Sequence, residues 1–186
     1  MTGSATGPVF EVLGTDTNEF GQESTKGFAF VVRTAAGSSD LLTDYQLIVG
    51  GYLDGNQTVD LRRGEQTSTA TVVAVSPDPH VALLRIRGEY PPFAIGHSAP
   101  RPPDTVVVDP LPPGGTRRAA MVAYDGRGGS DHLTFSVAVP ALGDGAPVLD
   151  AHGRVVGMAE PSSPFGAAGV GFAVPINTAC EAVAGC

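Results

Sequence analysis

Short apolar runs recur along the chain, each closed by a turn signal. Val9-Phe10-Glu11-Val12-Leu13 comes first, then Gly27-Phe28-Ala29-Phe30-Val31-Val32. A Gly-Ser-Ser-Asp turn at 37–40 precedes Leu41-Leu42-Thr43. Thr58-Val59-Asp60-Leu61 alternates with the period of two that marks a half-buried strand, and Arg62-Arg63-Gly64-Glu65 supplies its turn. The run at 70–75 leads into Ser76-Pro77-Asp78-Pro79, where the prolines preset the backbone for a turn, and the run at 81–86 closes the first half. The second half repeats the pattern at 105–108, 119–124, 133–139, 147–149, 155–158 and 170–174, with a Gly-Arg-Gly-Gly-Ser turn at 126–130. Only the tail, 177–183, reads as helix, with Asn177 or Thr178 as its N-cap and Glu181 near the capping-box position.

Between the halves lie Pro91, Pro92, Pro100, Pro102 and Pro103, a density that no central strand accommodates. Many short strands with one terminal helix predict an all-β sandwich or barrel, and two halves of similar size favour paired barrels. The expected organisation is one domain over 1–186: an N-terminal barrel at about 9–88, a proline-rich connector at 89–103, a C-terminal barrel at about 104–175 and a helix at 176–184.

At 186 residues the chain is long enough to bury a real core, and its 25 glycines and 16 prolines are the punctuation already seen. The net charge of -8 argues against a nucleic-acid partner, because a phosphate tracker needs a basic stripe. No apolar run approaches the ~20 residues that span a bilayer, so direct membrane insertion is not expected. The segment Met1-Thr2-Gly3-Ser4-Ala5-Thr6-Gly7-Pro8 has neither a basic nor an apolar signal region. A short Gly/Ser/Thr leader is compatible with the exported part of a longer, extracytoplasmic protein. Cys180 and Cys186 are close enough in sequence to form a small disulfide loop, which would tie down the tail and imply an oxidising compartment. The alternatives are two free thiols or a partner elsewhere in a longer chain. Two sulfurs without an adjacent histidine fall short of a zinc set, and neither a metal nor a cofactor is expected.

The candidate chemistry lies in Gly143-Asp144-Gly145-Ala146-Pro147-Val148-Leu149-Asp150 followed by Gly153-Arg154-Val155-Val156-Gly157. This stretch resembles the nucleophile loop of trypsin-like serine proteases, Gly-Asn/Asp-Ser-Gly-Gly-Pro-Leu-Leu-Asp. Four further segments resemble the bacterial HtrA type of that family in the right order. The run at 27–32 matches Gly-Ser-Gly-Phe-Val-Val. Leu41-Leu42-Thr43-Asp44-Tyr45-Gln46-Leu47-Ile48 matches Ile-Leu-Thr-Asn-Tyr-His-Val-Val, and Pro77-Asp78-Pro79-His80-Val81-Ala82-Leu83-Leu84 matches Pro-x-x-Asp-Leu-Ala-Leu-Leu. Finally, Gly169-Val170-Gly171-Phe172-Ala173-Val174-Pro175-Ile176-Asn177 matches the family's Gly-x-Gly-Phe-Ala-Ile-Pro-x-Asn ending. The resemblance implies a two-barrel trypsin/chymotrypsin-like fold with a short C-terminal helix.

It also locates three departures. Gln46 stands at the histidine position, His80 at the aspartate position and Asp144 at the serine position. If a glycine is deleted after Asp144, the serine position becomes Gly145; neither register supplies a serine. The mechanism needs a nucleophile, a base and an orienting carboxylate, and an amide is no base near neutral pH. Leu142 occupies the oxyanion-hole glycine position, where a leucine disfavours positive φ. The resemblance therefore implies a pseudoprotease that binds a protein or peptide, the family's substrate-pairing edges falling near Ala138-Val139 and 155–158. The competing reading is an unusual hydrolase, with Ser136, Ser162 or Ser163 as displaced nucleophile. A metal held by His80 and Asp144 is a poor two-ligand site. His97, His132 and His152 read as surface residues, His80 as solvated, Tyr45 as a packing residue and Asp150 as hairpin chemistry.

Overall fold

The structure, a computed structural model, describes residues 9–18, 21–97, 105–108, 117–125, 132–135, 143–160 and 171–186. Strands β1 (Val9–Asn18), β2 (Gly21–Ala35), β3 (Ser38–Asp44), β4 (Thr58–Arg63), β5 (Gln66–Ser76) and β6 (Val81–Arg87) close into one barrel in the order β1-β2-β3-β6-β5-β4. Strands β7 (Thr105–Val108), β8 (Arg117–Asp125), β9 (His132–Phe135), β10 (Pro147–Leu149), β11 (Val155–Glu160) and β12 (Gly171–Pro175) close a second, in the order β10-β11-β12-β9-β8-β7. The expected all-β two-barrel architecture is the observed one.

The reason β2 reads as an unbroken apolar run, not as an alternation, lies in its two buried faces. Ala29 and Val31 point into the first barrel's core with Leu41 and Leu84, whereas Phe30 and Val32 point outward with Leu42 and Leu83. That outward layer meets Leu149, Val155, Met158 and Val174 of the second barrel, so one apolar seam belongs to both halves. The connector is stitched to both. Phe93 N–H donates to the Val31 carbonyl (2.9 Å), Gly96 N–H to the Val155 carbonyl (2.7 Å), and Val155 N–H to the Ala94 carbonyl (2.8 Å). Phe93 also sets its ring edge-on against Phe30, 6.0 Å between centroids.

Helix α2 (Ile176–Val183) closes the seam with Ile176, Ala179 and Val183 buried on one face, and Cys180 and Cys186 are disulfide-bonded. Its start differs from the expectation. Pro175 is the N-cap residue and no side chain caps the helix, so Asn177 and Thr178 lie inside it. The fixed φ of Pro175, at -57°, leads straight from β12 into the helix. The left-handed Ala184, φ 49°, ends it.

Two further expectations change. Ser38–Asp40 belongs to β3, and the turn before it is confined to Ala36 and Gly37, whose φ of 77° suits glycine. Helical structure is not confined to the tail: a 3-10 turn at Tyr45–Leu47 runs into a short helix, α1 (Val49–Leu53). The turn at 126–130 and most of the connector beyond His97 lie outside the described residues.

Phe30 has no solvent exposure and sits in the shared seam. Phe30→Ala should therefore destabilise the protein by about 3–5 kcal/mol, read as a lower urea midpoint at unchanged m-value.

Candidate functional site

The site forms where β3 ends. Asp44, with β-like backbone angles, caps the Tyr45–Leu47 turn, its Oδ1 accepting the Gln46 N–H at 2.8 Å. Tyr45 buries its ring in the first core, edge-on to Tyr52 at 6.4 Å, so it packs as expected. The turn thereby holds Gln46 out in solvent. Next door, the β5–β6 turn brings the His80 carbonyl to the Tyr45 N–H at 2.8 Å, with His80 in the left-handed region at φ 62°.

The third element is the turn at 143–146, which wedges between the barrels. Phe28 N–H of β2 donates to the Asp144 carbonyl (2.8 Å), and Gly145 N–H donates to the Ala159 carbonyl of β11 (2.8 Å). Gly145 has φ 77°, and a Cβ there would collide with the Phe28 carbonyl oxygen, so only glycine fits. The turn is thus pinned to both barrels, and the Asp144 side chain is carried into the interior, 9% exposed.

Asp44 touches two of the positions picked out in the sequence, and His80 reaches the same cluster through Glu160. Gln46 hangs on Asp44, and Asp44 lies close enough to Asp144 and Glu160 for both carboxylates to act on it. Burial, reinforced by Glu160 and Asp144 and opposed by the Gln46 N–H, pushes the Asp44 carboxyl up to about 7. Burial alone pushes Asp144 up to about 7. One oxygen of each, Asp44 Oδ2 and Asp144 Oδ1, is buried without a hydrogen-bond partner. Two histidines flank the third acid: His132 Nδ1 is 2.7 Å from Glu160 Oε2, and His80 Nδ1 is 3.8 Å from Glu160 Oε1.

Asp44, Glu160 and His132 were not singled out from the sequence as site residues. The signal for Asp44 was an acid at the amide position of the Leu-Thr-Asn-Tyr motif. The signal for Glu160 was a charge closing the apolar run Val-Val-Gly-Met-Ala. His132 was expected at the surface; it lies on β9 and faces the buried Glu160 across the second barrel. His97 and His152 are exposed as expected, and His80 is half-exposed. Asp150 does hairpin work, accepting from the backbone N–H groups of His152 and Arg154.

The expectation of a pairing edge at 155–158 is corrected. β11 is an interior strand, paired with β10 on one side and β12 on the other. The other proposed edge, Ala138-Val139, lies outside the described residues, as do Leu142 and Ser136, Ser162 and Ser163. Among the described residues, no group of three or more His, Cys, Asp or Glu side chains is arranged to hold a metal ion. No described helix is long and apolar enough to cross a membrane.

The family described as the trypsin-like peptidase domain matches residues 27–158, which include all three of these positions. The chain belongs to that family. The trypsin-like domain also matches the solved structure of the HtrA-type protease AlgW with a decapeptide, at a TM-score of 0.72 and 20% sequence identity. That match covers 93% of this chain and 61% of the AlgW chain, so this domain spans less than two thirds of that protein's length. No curated protein matches the sequence.

The buried acids make a signed prediction. Carboxyls near 7 in the folded state and near 4 when unfolded bind extra protons on folding between those values. The stability they contribute is full below about pH 4 and is lost as pH rises through about 7. Denaturation of the wild type should show stability falling by on the order of 5 kcal/mol, about half from each carboxyl, between about pH 5 and pH 8. The double variant Asp44→Asn/Asp144→Asn, which mimics the protonated pair, should flatten that slope.

Proposed function

We propose that this trypsin-like domain does not cut peptide bonds and acts as a protein- or peptide-binding module, in a regulatory or scaffold role. The observation that carries the reading is the set of side chains at the three triad positions. Gln46 offers an amide where a base is required, and an amide takes up no proton near neutral pH. Asp144 replaces the hydroxyl with a buried carboxyl, which burial pushes up to about 7, a poor attacking group in either protonation state. His80, at the carboxylate position, turns toward Glu160 and provides no negative charge to orient a base.

The decapeptide in the AlgW structure supports a peptide as the class of ligand. The Cys180–Cys186 bridge supports an exported or extracytoplasmic setting, where disulfides persist. One observation favours the competing hydrolase: His132 is held at 2.7 Å by a buried carboxylate, the pairing that orients a catalytic base.

Incubation with a fluorophosphonate probe and with a broad peptide library separates the two. The expected outcome is no labelling and no cleavage, together with retention of a subset of peptides by the immobilised domain. Turnover that survives Asp144→Ala and is lost in His132→Gln would establish the hydrolase instead. Failure to retain any peptide or protein would remove the binding role.

A further inference from the structure

A second opening lies in the first barrel, between β1 and β4. The two strands pair only at Glu11↔Arg62, Val12↔Leu61 and Leu13↔Asp60. Continued, that register would set Gly14 against Val59 and Thr15 against Thr58. Among the described residues, β1 instead runs on to Asn18 with partners on β2 alone, while Thr58 and Val59 pair only with β5. The strands splay, and a cavity of about 280 Å³ opens between them. Leu13, Ile48, Tyr52 and Val59 give it apolar walls, and the exposed Asn56 and Asp60 stand at its mouth.

Its size lies at the bottom of the ~300–1,000 Å³ range of small-molecule sites, which suits one or two side chains better than a whole ligand. Beside it, Leu53 is 73% exposed, a large apolar side chain left in water next to Tyr52. Among the described residues, no strand pairs with this edge of β1 beyond Leu13, which leaves backbone donors and acceptors over the same stretch.

Among the described residues that line the opening, Asp60 is the charged one. Asp60 accepts only the neutral Thr69 hydroxyl. The nearby arginines are engaged elsewhere: Arg62 with Glu11, and Arg63 over the rings of Phe10 and Tyr90. Lys26 stands opposite Leu13 on the neighbouring strand.

We propose that this gap is a peptide-binding site separate from the former catalytic cleft. An extended, basic segment of a partner protein adds to the edge of β1, seats one apolar side chain in the cavity and sets a cation against Asp60. Backbone pairing supplies the orientation, the cavity selects the anchor and Asp60 selects a basic flank. The site does not depend on the binding role proposed for the old cleft.

The test uses the fluorescein-labelled peptide Arg-Thr-Val-Phe-Val-Thr-Arg in titrations followed by fluorescence anisotropy, with NMR mapping on the wild-type protein. The expected result is saturable binding, weakened by salt, with amide shifts at Leu13, Gly14, Thr58 and Val59. Asn56→Trp, which blocks the mouth from an exposed position, should weaken binding about tenfold or more. Asp60→Lys should weaken the basic peptide and strengthen its Glu-flanked counterpart, and proline in place of the Phe-flanking valines should abolish binding. Shifts confined to Phe28, Gly145 and Val156 would overturn the proposal while supporting the old cleft as the binding site. No saturable binding, or binding unchanged in Asn56→Trp, would also overturn it.

Discussion

Gly145 is the position at which a side chain would force the two barrels apart. Its missing Cβ lets the turn of the second barrel lie against the Phe28 carbonyl, with Thr43 Oγ1 and the Asp44 nitrogen just beyond. Phe28 is then gripped from both ends: its N–H by the Asp144 carbonyl and its carbonyl by the Thr43 hydroxyl, both at 2.8 Å. The depth of Asp144, the crowding around Asp44 and the closure of the seam all follow from that approach. A wider turn would let water reach the carboxyls, and their unusual protonation would disappear.

Strand β3 contrasts two ways of burying an acid. Asp40 lies 4% exposed, and burial alone would raise its pKa, but Arg85 and Arg33 hold it below the ordinary carboxylate range. Its oxygens accept from Arg85 Nε at 2.7 Å and from Arg33 Nε at 3.0 Å. Asp44, four positions on, is fully buried and meets two more acids where Asp40 meets two guanidiniums. The same strand thus holds one acid as an ion and the other as a proton carrier, and the neighbours alone decide which.

The barrels were legible in the sequence because their strands are marked by features that local chemistry enforces. Residues 29–32 are apolar without alternation because each side chain has a core to enter, and the prolines at 77 and 79 stand in a turn where β5 and β6 need one. Short-range exceptions were less visible. Val-Gly-Gly-Tyr-Leu has two glycines in five residues and no cap, so α1 leaves little trace in propensity; it is set by its packing against β1. The helix start was misplaced because Pro175 does the work that a side-chain cap would otherwise do. At the site, Gln46, His80 and Asp144 were readable one by one. Their clustering with Glu160 and His132 was not, because those residues lie on strands far along the chain and meet only when the second barrel closes. The pairing edge at 155–158 was misjudged for the same reason: whether a strand is interior depends on partners that sequence proximity does not reveal.

Helix α2 has a consequence for the order of assembly. Val183 packs with Val81 and Leu83, residues of the first barrel, and a Cβ on Gly185 would press on Leu83 as well. The outer layer of the first barrel is therefore unfinished until a segment about a hundred residues later has left the ribosome. A nascent first barrel carries Phe30, Leu42 and Leu83 only partly covered, by Phe93 first and then by the second barrel, until that interval ends. The protein's exposure to misassociation is thus greatest during synthesis, and it ends with the arrival of eight residues that belong to neither barrel.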